Sequence, residues 1–321
     1  MARSSSPKPL VEGALLAAIT IILALMGSYV PVLGTVAALL WPVPVALVYL
    51  RHGFRISLLT VIVSGLTLGM FVGPLEAVVR VSTFGLAGLA LGFCFRRKLS
   101  PSVTVAAGAV AGLVSTVIGL VVSILFFKIG PKEMLAEILQ ALDQSTEIYR
   151  RFGLLSETQI AEVKQQTDVA RQMMGYLLPS LFGVSAISGS LVNFQVARMV
   201  LNRLGYGIEQ LPKFETWRMP ALAAIGVFAG GLTGLLKDNQ SWSLVYSAGV
   251  NIQFFMSVLF LVHGSAVGYW FMANRWNVSK PLRIVMLAMA FFNPLFQQVL
   301  LWVGVFDSFF DYRKLGFRFR R

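Results

Sequence analysis

Several polar side chains lie within apolar stretches of this sequence, Gln298 among them, and five are predicted to hold a polar ligand. These five are Glu76, Arg80, Asn251, Gln253 and Gln297. A carboxylate beside a guanidinium offers ionic contacts to a charged molecule, and primary amides both donate and accept hydrogen bonds. If their helices present these groups at one depth, they form a polar cavity open to one side of a membrane. Hydrogen bonding between the helices themselves is the alternative interpretation.

Glu76 and Arg80 are also predicted to pair with each other. They are four residues apart, which places both on one face of a helix. An unpaired charge at the bilayer centre costs about 2.5–3.5 kcal/mol on insertion scales, so each charge is expected to have a partner. Removing one member of the pair should therefore be more damaging than removing both.

Sequence motifs of several enzyme classes are absent. There is no HExxH, G-x-S-x-G or G-x-x-x-x-G-K-[ST] motif, so the usual patterns of zinc proteases, serine hydrolases and P-loop proteins are missing. The two histidines, His52 and His263, fall in different apolar runs, and Cys94 is the only cysteine. We therefore predict no catalytic residues, no metal site and no cofactor, and we expect that the protein is not an enzyme.

The elements that carry these groups have the composition of membrane helices. Hydrophobic residues make up 56% of the sequence and charged residues 13%, whereas soluble domains contain roughly 25% charged residues. A spanning helix needs about 20 apolar residues. The fold class predicted is all-α, a polytopic membrane protein of about nine transmembrane helices. The predicted helices cover residues 11–30, 34–50, 54–73, 75–95, 103–127, 173–201, 219–236, 244–273 and 282–305, and prolines in the second predict a kinked or shallow helix.

The basic residues predict the orientation of this protein in the cell membrane. The net charge is +13, but the basic residues form short clusters at the ends of apolar runs, so nucleic acid is not an expected partner. Clusters at alternate loops indicate a multi-pass protein whose N-terminus is cytoplasmic. Nine spans would leave the basic tail outside, so the sequence leaves open whether the last run crosses. The clusters comprise Arg3, Lys8, Arg51, Arg55, Arg96, Arg97, Lys98, Arg198, Arg203, Lys213, Arg218, Arg275, Lys280 and Arg283.

One long polar segment, residues 131–172, divides the chain. It carries half of the 14 acidic residues. Pro131 and Gly153 bracket one predicted helix, and Ser156 with Gln159 forms a capping box that begins a second, expected to run on towards Pro179. We predict an extracytoplasmic helical hairpin here. It separates a first membrane bundle of five helices (1–130) from a second of about four (173–306), and a basic tail (307–321) follows.

Small residues at helical spacing predict how the spans pack. Glycines four residues apart let helix backbones approach closely in lipid, and such faces contain Gly65, Gly69 and Gly73, then Gly226, Gly230 and Gly234, then Gly264 and Gly268. Ala14 and Ala18 form a similar groove on the first helix. We expect this groove to pack against the chain's own helices, and docking of a second membrane subunit is the alternative.

Two segments resemble the YybS-like membrane proteins, an uncharacterised family of Gram-positive bacteria. Residues 211–220 (LPKFETWRMP) are similar to the family's elbow, and residues 304–313 are similar to its closing G-x-x-D-x-x-x-D-x-R pattern. The eighth apolar run, with Asn251 and Gly264, is similar to the family's penultimate helix. The resemblance implies a membrane-bound cyclic-di-AMP phosphodiesterase as a candidate partner, because family members often lie beside one.

The first six helices also resemble the S component of energy-coupling-factor transporters. The similarity lies in Ala14-Leu-Leu-Ala17-Ala18, in the short proline-containing second helix and in a cytoplasmic start. In that family the small-residue face of helix one docks on a partner membrane subunit, which makes Ala14 and Ala18 partner-docking candidates. The polar segment and three further helices are departures from that family.

Two functions therefore stand as hypotheses. The first is small-molecule binding or a transport-related role, by resemblance to S components, with the five polar residues as ligand-binding candidates. The second is a membrane scaffold or regulator of a partner protein. In that case the polar segment and the elbow, with Phe214 and Trp217, are docking surfaces. A cavity lined by Glu76, Arg80 and Asn251 favours the first, and mutual satisfaction of those groups favours the second.

Overall fold

Prolines mark the starts of many of the helices into which this apolar chain folds. Proline is pre-organised for the first helical position and loses no hydrogen bond there. Pro31, Pro42, Pro74, Pro101 and Pro294 each begin a helix. The computed structural model describes residues 8–154, 156–236 and 240–314, and every regular element within those ranges is helical. The predicted all-α class is confirmed.

The described residues form twelve α-helices and several shorter turns. The α-helices are α1 (Lys8–Tyr29), α2 (Pro31–Leu40), α3 (Pro42–His52), α4 (Phe54–Val72), α5 (Pro74–Arg96), α6 (Pro101–Val122), α7 (Pro131–Arg151), α8 (Glu157–Arg203), α9 (Ala224–Leu232), α10 (Ser243–Asn274), α11 (Lys280–Phe292) and α12 (Pro294–Phe310). A π-helical turn, Ser123–Phe127, extends α6, and 3₁₀ turns lie at Phe214–Thr216, Ala221–Ala223, Thr233–Leu236 and Gln240–Trp242.

Within the part of the chain that the structure describes, six helical segments are long and apolar enough to cross a membrane. They are α1, α4, α5, α6 with its π turn, the Gly175–Arg203 part of α8, and α10. Helices α11 and α12 are bent by 108° and add a seventh span if they cross together as one broken helix. The protein therefore has the helices of a multi-pass membrane protein, but fewer continuous spans than the nine predicted.

Three of the nine predicted spans are interrupted, each for a local reason. The second is divided at Trp41, where Pro42 begins a new helix, as its prolines predicted. The seventh is rich in glycine, a weak helix former, and contains only the nine-residue α9 with 3₁₀ turns around it. The ninth breaks at Asn293, whose side chain accepts hydrogen bonds from the first backbone N–H groups of α12.

The chain forms two structural units. The first contains residues up to 145 and residues 185–210, and so includes α1–α6, most of α7 and the end of α8. Its buried apolar core contains Ala24, Val45, Val61, Leu68, Ala77 and Phe84. Helices α3 and α5 approach closely because Gly88 has no side chain, and a Cβ there would lie 2.8 Å from the carbonyl oxygen of Pro42. Gly65 of α4 likewise faces Val81 of α5.

The second unit contains residues 146–184 and the chain from residue 211 onwards. Its buried core is formed by Ala224, Val227, Phe260 and Val305. Helices α10 and α12 cross almost in backbone contact, since a Cβ at Gly264 would overlap the carbonyl oxygen of Leu300. Gly226 of α9 faces Met256 of α10. The packing role predicted for the glycine faces is thus confirmed at these positions.

The polar segment forms the two helices predicted for it. Helix α7 begins at Pro131, and Gly153 follows its end with a φ of +64°. The capping box at the start of α8 is present: Ser156 N–H donates to Gln159 Oε1 (2.9 Å) and Gln159 N–H donates to Ser156 Oγ (3.3 Å). Helix α8 then runs for 47 residues through Pro179. Pairing of the two helices as a hairpin stays a prediction.

Exposed ion pairs stabilise the C-terminal turns of α7. Arg150 donates two hydrogen bonds to the Glu147 carboxylate, each of 2.8 Å, and Arg151 donates a third of 3.2 Å. These bonds lower the pKa of Glu147 to about 2. The carboxylate therefore stays ionised, and the pairs stay intact, until the medium is strongly acidic.

Candidate functional site

The pair predicted between Glu76 and Arg80 is present near the start of α5. Arg80 Nε donates to Glu76 Oε1 at 2.9 Å. The Arg80 guanidinium also lies over the ring of Trp41, 5.7 Å from its centroid, where a cation–π interaction adds to the ion pair. Both charged groups are thus satisfied by neighbours within the first unit. Their use in ligand binding stays a prediction.

Asn251 contacts the backbone of a neighbouring helix at a proline. Proline inside a helix removes a backbone donor and crowds the preceding turn, and Pro179 does so in α8. Asn251 Oδ1 accepts from Ser180 N–H (3.0 Å), while Asn251 Nδ2 donates to the carbonyl of Tyr176 (2.6 Å). In a regular α-helix these two backbone groups, four residues apart, pair with each other. The amide of Asn251 therefore bridges one turn of α8.

The remaining two predicted ligand residues have different neighbours. Gln253 packs on the glycine face of α9, and its Cβ would lie 2.7 Å from a Cβ built at Gly230. Gln297 Nε2 donates to the carbonyl oxygen of Phe291 at 2.5 Å, across the bend between α11 and α12. Within the second unit, the three amides thus contact three separate places: α8, α9 and the α11–α12 bend. The structure does not unite them in one polar site there.

Helix α1 packs through a different face from the one predicted. Gly13 and Ala17 are buried against α4, where Thr60 Oγ1 donates to the Gly13 carbonyl at 3.4 Å. Ala14 and Ala18 are exposed. The expectation that the Ala14–Ala18 groove packs against the chain's own helices is therefore wrong. The adjacent face, which has the same four-residue spacing, makes that contact instead.

The elbow, residues 211–220, is folded onto α10. Trp217 Nε1 donates to the carbonyl oxygen of Pro212 at 2.9 Å, which closes the elbow on itself. Phe214 packs edge-on against Trp217 (ring centroids 5.4 Å apart) and against Tyr269 of α10 (6.0 Å). Both predicted docking residues are partly buried by these contacts. Much of their aromatic surface is thus used within the second unit.

A buried ionic cluster joins the elbow to α10 and α12. Arg313 Nη2 donates to Asp307 Oδ2 at 2.9 Å, and neither side chain has any exposed area. The same guanidinium donates to the backbone carbonyls of Glu215 (2.7 Å) and Trp217 (2.9 Å) in the elbow. A planar guanidinium with five donors suits such a junction. Arg313 thus joins the segment that follows α12 to the elbow.

His263 of α10 completes this cluster. Its Nε2 lies 2.9 Å from Arg313 Nη2 and 3.2 Å from Asp307 Oδ2. Because a guanidinium only donates hydrogen bonds, His263 Nε2 is the acceptor in its contact with Arg313. Two buried polar atoms, His263 Nδ1 and Asp307 Oδ1, have no hydrogen-bond partner among the residues that the structure describes. The side chain of Arg218 in the elbow also pairs with Asp311 beside the cluster.

Comparison with known proteins identifies the family. A family model described as "Predicted membrane protein (DUF2232)" matches residues 18–308. The chain belongs to this family. A similar protein is "Uncharacterized protein YybS" of Bacillus subtilis (strain 168), which is 25% identical over 309 residues, or 95% of this chain and 97% of that one. The predicted YybS-like membership is confirmed. No solved structure matches the chain.

The cluster in this DUF2232 protein joins the two segments that the sequence had singled out separately. Arg313 and Asp307 belong to the closing pattern, and Glu215 and Trp217 belong to the elbow. The sequence assigned Asp307 to a basic tail, whereas α12 continues to Phe310. Residues 315–321 of that tail lie outside the described residues. The sequence did not predict the cluster, because Arg313 lies 98 positions from Glu215 and 96 from Trp217 in the sequence.

Proposed function

We propose that this DUF2232 protein is a membrane scaffold or regulator that binds a second membrane protein through the exposed face of α1. The observation that carries the proposal is the division of small residues on that helix. Gly13 and Ala17 make the internal contacts, and Ala14 and Ala18 are left exposed. Small residues on an outward face let another helix approach closely, which is the usual basis of helix association in lipid.

The hydrogen bonds already made by the predicted ligand-binding residues support the same proposal. The Glu76–Arg80 pair, Asn251 and Gln297 each have hydrogen-bond partners within their own unit. A polar group that is already satisfied gains little from a ligand, because binding would first have to break the existing bond. A membrane-bound cyclic-di-AMP phosphodiesterase is the candidate partner, on the basis of the family resemblance.

The alternative is a transport-related binding subunit. Support for it comes from the apolar helices of the first unit, which are α1, the short α2–α3 pair, α4, α5, α6 and the end of α8; the polar α7 is not counted among them. Counted with α2–α3 as one element, that makes six apolar segments in the first unit, which is the number of helices in an S component. In this case the partner on α1 is the membrane subunit of an energy-coupled transporter.

Co-purification from native membranes tests the docking proposal. The variant Ala14→Leu/Ala18→Leu fills the exposed face, and we expect it to lose the partner while its melting temperature in detergent stays unchanged. Ala106→Leu, at an exposed position of α6, is the matched control and keeps both the partner and the melting temperature. Ala17→Leu lowers the melting temperature because Ala17 is only 2% exposed.

The identity of the retained partner separates the two functions. A phosphodiesterase in the wild-type preparation supports the scaffold or regulator, and a transporter membrane subunit supports the alternative. A folded Ala14→Leu/Ala18→Leu variant that keeps every partner contradicts docking through α1.

A further inference from the structure

A cavity of about 470 Å³ lies in the first unit where α5 ends and α6 begins. This volume is within the usual range for small-ligand sites. Its apolar wall contains Leu50, Phe95 and Phe194, and the last two side chains are almost fully buried. Its polar lining includes Arg96, Lys98 and Glu209. A pocket with an apolar floor and charged groups at its mouth suits a ligand with one apolar part and one ionic part.

The loop that closes one side of the cavity is held in place by several hydrogen bonds. Asn202 at the end of α8 accepts from Ile208 N–H (2.6 Å) and donates to the carbonyl of the same residue (3.0 Å). Arg198 Nε donates to that carbonyl as well (3.2 Å). Tyr206, in the same loop, accepts a hydrogen bond of 2.6 Å from Arg51. The wall is therefore built by specific contacts.

Positive charge is concentrated at the mouth of the cavity. Arg96 and Lys98 both line it, and Arg96 uses Nη1 to donate to the carbonyl of Tyr49 (3.2 Å). Helix α6 begins beside them, with Pro101 and Thr104 in the lining, so the positive end of its dipole adds to the field. Glu209 supplies one carboxylate, which can accept a hydrogen bond from a hydroxyl group of a ligand.

Lys98 occupies a backbone conformation that favours glycine. Its φ is +53°, in the left-handed region, immediately after α5. Glycine is the usual residue there and adopts this conformation without the steric cost that a side chain imposes. A lysine at this position retains a positive charge at the cavity despite that cost. This makes Lys98 the most informative residue to change.

We propose that this cavity binds a phosphate group carried by an amphiphilic molecule. The phosphate contacts Arg96, Lys98 and the start of α6, and the apolar part lies against Leu50, Phe95 and Phe194. Such a phosphate belongs either to the head group of an anionic membrane lipid or to a soluble phosphate ester. The first source fits a cavity at the ends of membrane helices, where lipid head groups lie. This inference is independent of docking through α1.

Thermal melting of the full chain in neutral detergent tests the proposal, with phosphatidylglycerol and glycerol 3-phosphate as the two probes. A ligand that binds only the folded state raises its melting temperature. We expect phosphatidylglycerol to raise that of the wild type. Lys98→Gly should have an unchanged or higher melting temperature without a probe, because strain is relieved, but its apparent affinity for the probe should fall about tenfold or more.

Arg97→Gln is the matched control. It removes one positive charge from the adjacent position. The Arg97 guanidinium lies 5.4 Å from the centroid of the Phe93 ring, and Arg97 does not line the cavity. We expect this variant to respond as the wild type does. The ligand is a soluble phosphate ester if glycerol 3-phosphate raises the melting temperature of the wild type at least as much as phosphatidylglycerol does, and if Lys98→Gly loses this rise. No response to either probe, or equal losses in Arg97→Gln and Lys98→Gly, overturns the proposal.

Discussion

Charged side chains are placed differently in the two units. In the first, Glu76 and Arg80 pair near the start of a helix with 50% and 20% of their side-chain area exposed. In the second, Asp307 and Arg313 pair with no exposed area and also contact a histidine and two backbone carbonyls. An exposed pair contributes little to stability, whereas a buried pair leaves a costly unpaired charge when one partner is removed. An acidic residue paired with an arginine is therefore expected to affect the stability of the second unit more than that of the first.

Removal of Arg313 should have the largest effect. Arg313→Leu leaves Asp307 charged and buried and frees two elbow carbonyls, so we expect a loss of about 3–5 kcal/mol in the free energy of unfolding. Denaturation in mixed micelles measures it. Arg313→Lys is the comparison variant and should recover only part of the loss, since an ammonium cannot reproduce the planar set of bonds. A fully stable Arg313→Leu protein would contradict the buried junction.

Contact between α10 and α12 should be the next most sensitive feature. Gly264→Ala places a methyl group against the backbone of α12, so we expect a loss of about 1–3 kcal/mol or more. Gly268→Ala, on the same helix face, is the control because its nearest heavy atom would be a side-chain carbon of Leu300 at 3.5 Å. Melting temperatures of the two variants should differ clearly, and equal values would show that the helices do not cross at Gly264.

Asn251→Ala should destabilise the protein by an intermediate amount. It leaves the Ser180 N–H and the Tyr176 carbonyl without the amide that bridges them, at a cost of about 1–3 kcal/mol. Asn274→Ala removes an exposed asparagine whose Nδ2 donates to the Trp270 carbonyl in the preceding turn of its own helix, and it should be nearly neutral. Equal melting temperatures for the two variants would show that the hydrogen bonds from Asn251 to α8 do not stabilise the protein.

The smallest effect should come from Glu76→Gln. Arg80 is then unpaired, but its long side chain can extend to the membrane surface and remains over the Trp41 ring. We expect a loss of about 1 kcal/mol or less, and a smaller loss for Glu76→Gln/Arg80→Leu, in which no charge is left unpaired. The two melting curves, recorded side by side, check this order.

Local patterns were the part of the fold that the sequence predicted well. The Ser156–Gln159 capping box, the Glu76–Arg80 pair and the proline break after Trp41 each depend on residues a few positions apart. Their geometry follows from helix periodicity alone. The family and the all-helical membrane class were likewise accessible, since both rest on composition and on short motifs.

The sequence did not show which of two similar helix faces packs inward, and it did not show contacts between residues far apart in the chain. Helix α1 carries two small-residue faces with identical spacing, and only packing decides that Gly13 and Ala17 face inward while Ala14 and Ala18 do not. Continuity of the spans was overestimated because apolar composition does not reveal a 108° bend.

A double-mutant cycle on each ion pair tests the central contrast most directly. The cycles combine Asp307→Leu with Arg313→Leu, and Glu76→Leu with Arg80→Leu, and measure the free energy of unfolding in the same mixed micelles. We expect a coupling energy of about 3 kcal/mol between Asp307 and Arg313 and of about 0.5 kcal/mol between Glu76 and Arg80. Equal coupling energies for the two pairs would contradict the account.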